Sequence, residues 1–327
     1  MPAQRPFRFG AVADAMPSHT AWLEVARKVE AMGYATLLQG DHPSLGGLAP
    51  LTALMAAADA TTTLRLGTHV LANDFRHPVM LAQEVATLDL FSGGRFELGI
   101  GSGWLRADYE TVGIPLDPPS VRVSRLEEAV PLLKRLFQDE PVTFSGTYYH
   151  VDGLNLLPKP AQRPHPPIFV GGGGKRVLSL AAREADIVSL DPIGTAMGTK
   201  DFATITAETV EQQIAWIHAA AGERFNALEL HTYIFVVAVT EHRQQAAEQL
   251  VQGLRTIPPT VMSNTARSVD EVLASPHFLI GSVEQIVEEL LARRERYGIS
   301  YLTVGNIPGV AANIDVFSPV VARLSGK

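Results

Sequence analysis

The chain alternates short runs of apolar residues with longer segments in which apolar residues recur every three or four positions. A continuous apolar run is typical of a strand covered on both faces, and the wider spacing is typical of an amphipathic helix. In residues 20–33, for example, the helical spacing ends at Gly33. The predicted strands are residues 7–13, 35–40, 64–71, 95–101, 166–172, 186–190, 230–239 and 301–306.

Eight strands that alternate with helices predict an α/β protein, a closed (β/α)₈ TIM barrel forming one domain over residues 1–327. Two links are longer than a plain barrel needs, and we interpret them as insertions after strands 4 and 7, at about residues 139–165 and 255–281. The first has the pattern of a hairpin with Gly146 at its turn. We expect the second to form a lid or a substrate wall. The other predicted helices are residues 77–91, 125–137, 175–185 and 284–298.

The alternative to a barrel is an open, doubly wound sheet, which carries a Gly-x-Gly-x-x-Gly turn for dinucleotides. The stretch "GRFELGIGSGW", residues 94–104, is the candidate for that turn. Counted from Gly99 the third glycine falls on Trp104, and counted from Gly101 it falls on Arg106. The fingerprint therefore fails in both registers, and the barrel is favoured.

Composition excludes several classes of protein. The chain has no cysteine, so disulfides, thiolate metal sites and a cysteine nucleophile are ruled out. The net charge is −7 and no basic cluster is present, so we expect no nucleic-acid partner. The first residues lack the apolar run of a signal peptide and no stretch approaches a membrane span, which predicts a cytoplasmic protein without a membrane partner. Asp41, His42, His69 and His77 lack the spacing of a metal motif, so we predict no metal site.

The most informative motif is a run of four glycines, residues 171–174, between a predicted strand and a predicted helix. The helix begins with Lys175 and Arg176, two cations that oppose its dipole. A phosphate bound at the helix N-terminus would make the two cations favourable, because they would lie beside a negative charge. Glycines let such an anion approach the backbone. This pattern favours a phosphate site over a flexible turn with solvated charges. Because Arg176 follows the lysine, the motif is not a Walker loop.

Two further groups of residues follow predicted strands, where a barrel keeps its active site. Asp41 and His42 end the second strand, and a histidine there can exchange a proton near neutral pH. The alternative is a surface turn capped by Asp41. Gly101 and Gly103, after the fourth strand, would clear space for a flat ligand, whereas a tight bend would need only one glycine.

Taken in order, these residues resemble the bacterial luciferase-like superfamily of flavin and deazaflavin barrels. The most specific block is residues 64–104, with its "RHP", "SGGR" and "GxGW" segments. Residues 166–186 and 278–304 extend the resemblance over nearly the whole chain. The "GDH" at residues 40–42 is similar to the "SDH" of the branch that uses the deazaflavin coenzyme F420.

The resemblance implies roles for individual residues. Asp41 and His42 would be the catalytic pair, Asp41 contacting the cofactor ring and His42 acting as acid or base. A cis peptide bond would join His69 and Val70 beneath the ring. The implied cofactor contacts are Asp41, Thr68, His69, Val70, Gly101, Ser102, Gly103, Trp104, Gly172, Gly173, Lys175 and Arg176.

By the same resemblance the chain is expected to be a homodimeric, F420-dependent oxidoreductase. It would transfer a hydride between the reduced cofactor and a C=C, C=N or C=O bond of a small molecule, or run the reverse oxidation. An FMN-dependent monooxygenase is the runner-up, and a non-catalytic flavin-binding protein is a third hypothesis. A phosphosugar isomerase would explain Lys175 and the glycines but not the match at residues 64–104.

The chain departs from the sugar-phosphate dehydrogenases of this superfamily at two places. Trp104 stands where those enzymes carry a glutamate, and Gly46–Gly47 replace a tryptophan. Both differences argue against sugar-phosphate oxidation and leave the proton donor open. We expect Trp104, Tyr109 and Phe278 to frame the substrate, together with the insertion at residues 255–281.

Overall fold

The fold is a closed barrel of eight parallel strands surrounded by helices, as the sequence predicts. The computed structural model describes residues 5–13, 16–259, 262–264, 268–307, 310–311 and 314–327. The barrel strands are β1 (Arg8–Val12), β2 (Thr36–Gln39), β3 (Arg65–Thr68), β4 (Phe96–Gly101), β5 (Ile168–Gly172), β6 (Ile187–Leu190), β7 (Glu229–Ile234) and β8 (Ile299–Val304).

Around the barrel the strand order is β3, β2, β1, β8, β7, β6, β5 and β4. The ring closes where Leu66 of β3 pairs with Phe96 of β4. Every residue of β4 and β8 is buried, which explains their continuous apolar pattern. A small apolar core fills the barrel, with Phe169 and Tyr301 as its largest members, and the main core lies between the strands and the helices.

Four of the five predicted helices begin and end within two residues of the predicted positions, because their signals are local. The helix predicted at residues 125–137 instead begins at Pro119, where proline occupies the first turn. Ser282 and Gln285 form a reciprocal capping box, and Gly298 ends the same helix with φ of 72°. The helices are α1 (His19–Ala31), α2 (Pro50–Ala60), α3 (Pro78–Phe91), α4 (Arg106–Val112), α5 (Pro119–Leu136), α6 (Lys175–Glu184), α7 (Ala207–Ala221), α8 (Arg243–Leu254), α9 (Val269–Ala274), α10 (Val283–Tyr297) and α11 (Ile314–Leu324). Across the described part of the chain, none of them is both long and apolar enough to span a bilayer.

Charged residues cluster at the N-terminal end of the barrel. Arg8 donates to Glu97 at 2.7 Å and to Glu229 at 2.9 Å, and Arg65 also pairs with Glu97. Burial alone would raise the pKa of Glu97, but the two guanidinium groups hold that pKa below its ordinary value. The Arg8 guanidinium also lies 4.1 Å from the centre of the Tyr301 ring. This cluster closes the bottom of the barrel.

The first insertion contains the predicted hairpin. Val142–Ser145 pairs antiparallel with His150–Leu154, and Gly146 lies in the turn, donating its N–H to the carbonyl of Tyr149 at 2.9 Å. The prediction is therefore confirmed. The hairpin packs beside α5, where Glu128 accepts hydrogen bonds from the backbone of the turn.

The prediction of one strand over residues 230–239 is wrong. The barrel strand β7 ends at Ile234, and a separate strand, Val236–Val239, leaves the barrel to pair in parallel with Phe278–Gly281. The divergence occurs at Phe235, whose N–H bonds to the carbonyl of His277. Both halves of the run are apolar because each has its own buried partner, so periodicity could not locate the break.

Candidate active site

A cavity of about 470 Å³ opens at the C-terminal ends of the barrel strands. Its floor includes the His69–Val70 bulge, Gly101 and Gly171. Most of its surface is apolar, with a few polar groups at its two ends. This is the composition of a site that binds an organic ligand and orients it by a small number of polar contacts.

At one end of the cavity His42 is paired with Asp108. The ring Nδ1 lies 2.6 Å from Asp108 Oδ2, while the other carboxylate oxygen accepts from the backbone N–H of Ser44 at 3.0 Å and from its hydroxyl at 2.6 Å. Trp104 packs edge-on against the imidazole, with 5.7 Å between ring centres. Because Nδ1 is engaged, Nε2 is the nitrogen left to meet a ligand in the cavity.

Asp108 is positioned to carry a negative charge beside His42. Burial works against its ionised form, but hydrogen bonds from His42 and Ser44 outweigh that effect and lower the pKa of Asp108. An anion at this position fixes the orientation of the imidazole. Asp108 comes from the start of α4 and is 66 residues from His42 in the chain, which is why the sequence analysis missed it.

Asp41 also lines the cavity, but its carboxylate is already occupied. Arg76 donates to both oxygens, at 2.6 and 3.0 Å, and the backbone N–H of Ala72 donates at 3.0 Å. Asp41 therefore ties β2 to the segment that follows the β3 bulge. The "RHP" at residues 76–78 was part of the family resemblance, and its arginine is now seen to hold Asp41.

The predicted cis peptide bond between His69 and Val70 is present. Thr68 precedes it, buried and bonded to both the N–H and the carbonyl of Gly99, and it does not line the cavity. A Cβ on Gly99 would lie 1.8 Å from the carbonyl oxygen of Thr68, so the bulge requires glycine on the neighbouring strand.

The next two glycines also make room for protein atoms. A Cβ on Gly101 would lie 2.9 Å from the Val70 side chain, and one on Gly103 would lie 1.9 Å from the Tyr109 hydroxyl. Gly103 has φ of 73°, and Arg122 holds its carbonyl. The space that the sequence assigned to a ligand is thus partly taken by neighbouring side chains, although both glycines, Ser102 and Trp104 do line the cavity.

At the opposite end, residues 171–174 line the cavity and lead into α6. Gly174 is the N-cap, no side chain caps the helix, and a Cβ on Gly174 would meet nothing within 4 Å. Arg176 lines the cavity while its guanidinium bonds Glu127, the hydroxyl of Ser124 and the carbonyl of Ser120. Lys175 is exposed and does not line the cavity.

The roof comes from a loop that the sequence analysis did not single out, residues 191–206. Within it, Ile193–Gly194 pairs antiparallel with Lys200–Asp201. Lys200 reaches into the cavity, with its Nζ 3.8 Å from Asp191 Oδ2 and 5.5 Å from the centre of the Trp104 ring. The residue types of this loop carry no distinctive motif, so only its position over the barrel reveals its role.

The second insertion, residues 255–281, was expected to form a lid or a substrate wall, and the described part of it does not line the cavity. Met262–Ser263 instead pairs with Lys200–Asp201, behind the roof loop, and residues 260, 261 and 265–267 lie outside the described part. Phe278 is buried in a separate apolar cluster, whereas Trp104 and Tyr109 line the cavity as expected.

Comparison with known proteins agrees with the barrel fold. Residues 5–300 match the family model for luciferase-like monooxygenases. The FMNH(2)-dependent dimethylsulfone monooxygenase of Pseudomonas putida is 28% identical over 200 residues, covering 61% of this chain and 52% of that protein. The F420-dependent glucose-6-phosphate dehydrogenase of Nakamurella multipartita is 37% identical over 191 residues, covering 55% of each protein. The chain thus spans about half the length of both relatives.

A solved structure shares the fold over the whole chain. The coenzyme F420-dependent tetrahydromethanopterin reductase from Methanopyrus kandleri superposes with a TM-score of 0.77, covering 99% of this chain and 100% of that one. The sequence identity is 17%, so this similarity concerns the fold alone.

Proposed function

This chain belongs to the luciferase-like monooxygenase family, and we propose that it is an oxidoreductase that uses the deazaflavin F420. The observation that supports this proposal is the cavity itself. It has a glycine-lined floor over the His69–Val70 bulge, an uncapped helix N-terminus at one end and a carboxylate-bound histidine at the other. That arrangement suits a flat ring with an anionic tail, placed beside a proton donor or acceptor.

The residues present fit such a cofactor. Gly174 leaves open space at the start of α6, where the N–H groups and the positive end of the helix dipole favour a phosphate. No acidic residue lies in the first turn of α6 to repel it. The Gly171–Gly174 loop would hold the phosphate, and the bulge at His69 and Val70 would lie under the ring.

When bound, the deazaflavin supplies the hydride chemistry, and the protein supplies a proton and the geometry. Reducing a C=C, C=N or C=O bond requires one hydride and one proton. His42 would deliver the proton from Nε2 and would regain it from solvent. Asp108 keeps Nδ1 engaged and offsets the positive charge of the protonated ring, while Ser44 keeps Asp108 ionised. In the oxidation direction the same nitrogen would accept the proton.

The preference for F420 over FMN has two supports. The "GDH" at residues 40–42 is similar to the motif of F420 enzymes, and the F420-dependent relative has the higher identity of the two relatives compared. The second candidate is an FMN-dependent monooxygenase, favoured by the similarity to the dimethylsulfone enzyme. The absence of the glutamate and tryptophan at Trp104 and Gly46–Gly47 speaks against glucose-6-phosphate as the substrate.

The test is a titration of the pure protein with F420 and with FMN, following tryptophan fluorescence. Of the three tryptophans only Trp104 lines the cavity, whereas Trp22 is buried against the carbonyl of Ala53 and Trp216 packs on the main core, so Trp104→Phe is the control that removes the signal. We expect tighter quenching by F420, and no oxygen uptake beyond that of a protein-free control when either reduced cofactor is mixed with the protein in air. Binding of FMN alone, with oxygen-dependent turnover, would establish the monooxygenase instead.

A homodimer and a cytoplasmic location stay predictions. The dimer is supported by apolar side chains left exposed on α3, since Met80, Leu90 and Phe91 are 57%, 44% and 68% exposed. Light scattering of the purified protein would measure the oligomeric state directly.

A further inference from the structure

Gln213 on α7 connects the two loops at the anion end of the cavity. Its side chain is fully buried, and Nε2 donates to the carbonyl of Gly173 at 3.0 Å and to the carbonyl of Asp191 at 2.8 Å. Gly173 follows β5 and Asp191 follows β6, and both line the cavity, whereas Gln213 does not. One amide group therefore holds together two segments of the cavity wall.

The two segments meet backbone to backbone. A Cβ on Gly173 would lie 2.5 Å from the carbonyl oxygens of both Asp191 and Pro192, so only glycine permits this approach. Two carbonyls brought this close to α7 need donors, and a primary amide carries two N–H bonds on one nitrogen. Oε1 of Gln213 is buried without a hydrogen-bond partner in the described part of the chain, which costs free energy. A residue that only filled this space would therefore be apolar.

The orientation of one carbonyl fixes the orientation of the next N–H. In a trans peptide unit the C=O and the N–H point in opposite directions, and the Gly173–Gly174 bond is not among the cis bonds of the described chain. Because the carbonyl of Gly173 faces Gln213, the N–H of Gly174 faces away from Gln213. Gly174 is also the N-cap of α6 and leaves open space at the start of that helix.

We propose that Gln213 is a positioning residue for the phosphate of the cofactor. It turns the Gly173–Gly174 peptide so that its N–H faces the anion and its carbonyl does not, and it ties this peptide to the roof loop through Asp191. The ligand class is a phosphate ester attached to a flat ring. This inference rests on the proposed function, because it assumes that the anion end of the cavity receives a cofactor tail.

The experiment compares F420 with its phosphate-free deazaflavin chromophore as ligands, using fluorescence titration. The variants are Gln213→Met, which keeps the side-chain length and removes the donors, and Gln213→Leu, which removes the donors with a smaller uncharged side chain. Gln212→Met is the matched control, because Gln212 is exposed on the same helix. Circular dichroism and thermal unfolding measure whether each variant is folded, and Gln213→Leu serves if Gln213→Met does not fold.

We expect the affinity for F420 to fall about tenfold in the Gln213 variants, the loss typical of removing hydrogen bonds that organise a site, with the affinity for the phosphate-free chromophore unchanged within about twofold. The Gln212 variant should match the wild type with both ligands. Equal losses for the two ligands, or no loss for either, would overturn the positioning role. If the wild type itself binds both ligands equally, the assignment of the anion end, and with it the proposed placement of the cofactor, is wrong.

Discussion

The two ends of the barrel both carry charged groups, but they use them differently. At the N-terminal end, Glu97 is shared between Arg8 and Arg65, and Arg8 also pairs with Glu229. At the C-terminal end, His42 is held by Asp108 through one nitrogen only, and its side chain is 27% exposed. In the first arrangement each of these charged groups has a charged partner, and in the second the imidazole is bound through one nitrogen and lines the cavity.

This difference distinguishes charged groups that stabilise the fold from groups that can exchange a proton with a ligand. Charges that satisfy one another hold the strands in register and have nothing left to exchange with a ligand, whereas a half-satisfied histidine can move a proton. Asp41 is an intermediate case, since it lies at the C-terminal end but already accepts hydrogen bonds from Arg76 and from the backbone N–H of Ala72. Position at the C-terminal end is therefore not enough, and the hydrogen-bond partners decide the role.

The largest effect is expected at His42. Replacing His42 by Ala removes the proposed proton donor, and we expect kcat for the substrate turned over by the wild type to fall about a hundredfold to ten-thousandfold. The affinity for the cofactor should change little, because the phosphate end of the cavity is untouched. Steady-state kinetics and fluorescence titration measure the two quantities separately. Unchanged kcat would show that another group supplies the proton.

Asp108→Asn is the matched control for this prediction, since it keeps the shape of the carboxylate and removes its charge. Because Asp108 acts through His42, we expect a smaller loss of kcat, about tenfold to a hundredfold, together with a shift in the pH profile of kcat. A purely structural role for Asp108 would lower stability and leave the pH profile where it was.

At the N-terminal end the expected effect is on stability. Glu97→Gln leaves Arg8 and Arg65 without their shared carboxylate, and we expect the free energy of unfolding to fall by about 3 kcal/mol. Urea unfolding measures this value, and Glu110→Gln is the control, because its pair with Arg106 is exposed and should contribute less than about 1 kcal/mol. Equal effects of the two substitutions would mean that the buried ion pairs of Glu97 contribute no more to the free energy of unfolding than an exposed pair does.

The smallest effect concerns a second histidine, which lies near the C-terminal end of the barrel. Burial lowers the pKa of His277 to about 4, so the folded protein keeps it neutral while the unfolded chain takes up a proton near pH 6.5. The free energy of unfolding is therefore unaffected by His277 above that pH, and it decreases as the pH falls toward 4. We expect this residue to cost about 2 kcal/mol of stability between pH 8 and pH 5.

His277→Gln removes that titration, so the pH dependence of its unfolding free energy between pH 8 and pH 5 should be shallower than in the wild type. Urea unfolding at several pH values measures both slopes. Parallel slopes would show that His277 is not responsible. Burial also lowers the pKa of His231, and its contribution to the pH dependence is the same in the wild type and in the His277 variant.

Much of the fold and part of the site could be predicted from local signals. The barrel strands, the hairpin around Gly146 and the glycine run before α6 each occupy a short stretch whose pattern is enough to identify it. The cis bond at His69–Val70 came from resemblance to a family. The division of residues 230–239 was missed because both halves are equally apolar, and the roof loop was missed because its residues form no motif.

The sequence by itself determined the alternation of strands and helices, the barrel, and which residue types end each strand, because these depend on periodicity and on neighbours along the chain. Only the tertiary structure decided how those residues are partnered. Asp108 reaches His42, Arg76 reaches Asp41, and Gln213 reaches Gly173 from distant parts of the chain. The reason is physical: a hydrogen bond depends on distances of about 3 Å between atoms in space, which folding sets and spacing along the chain does not.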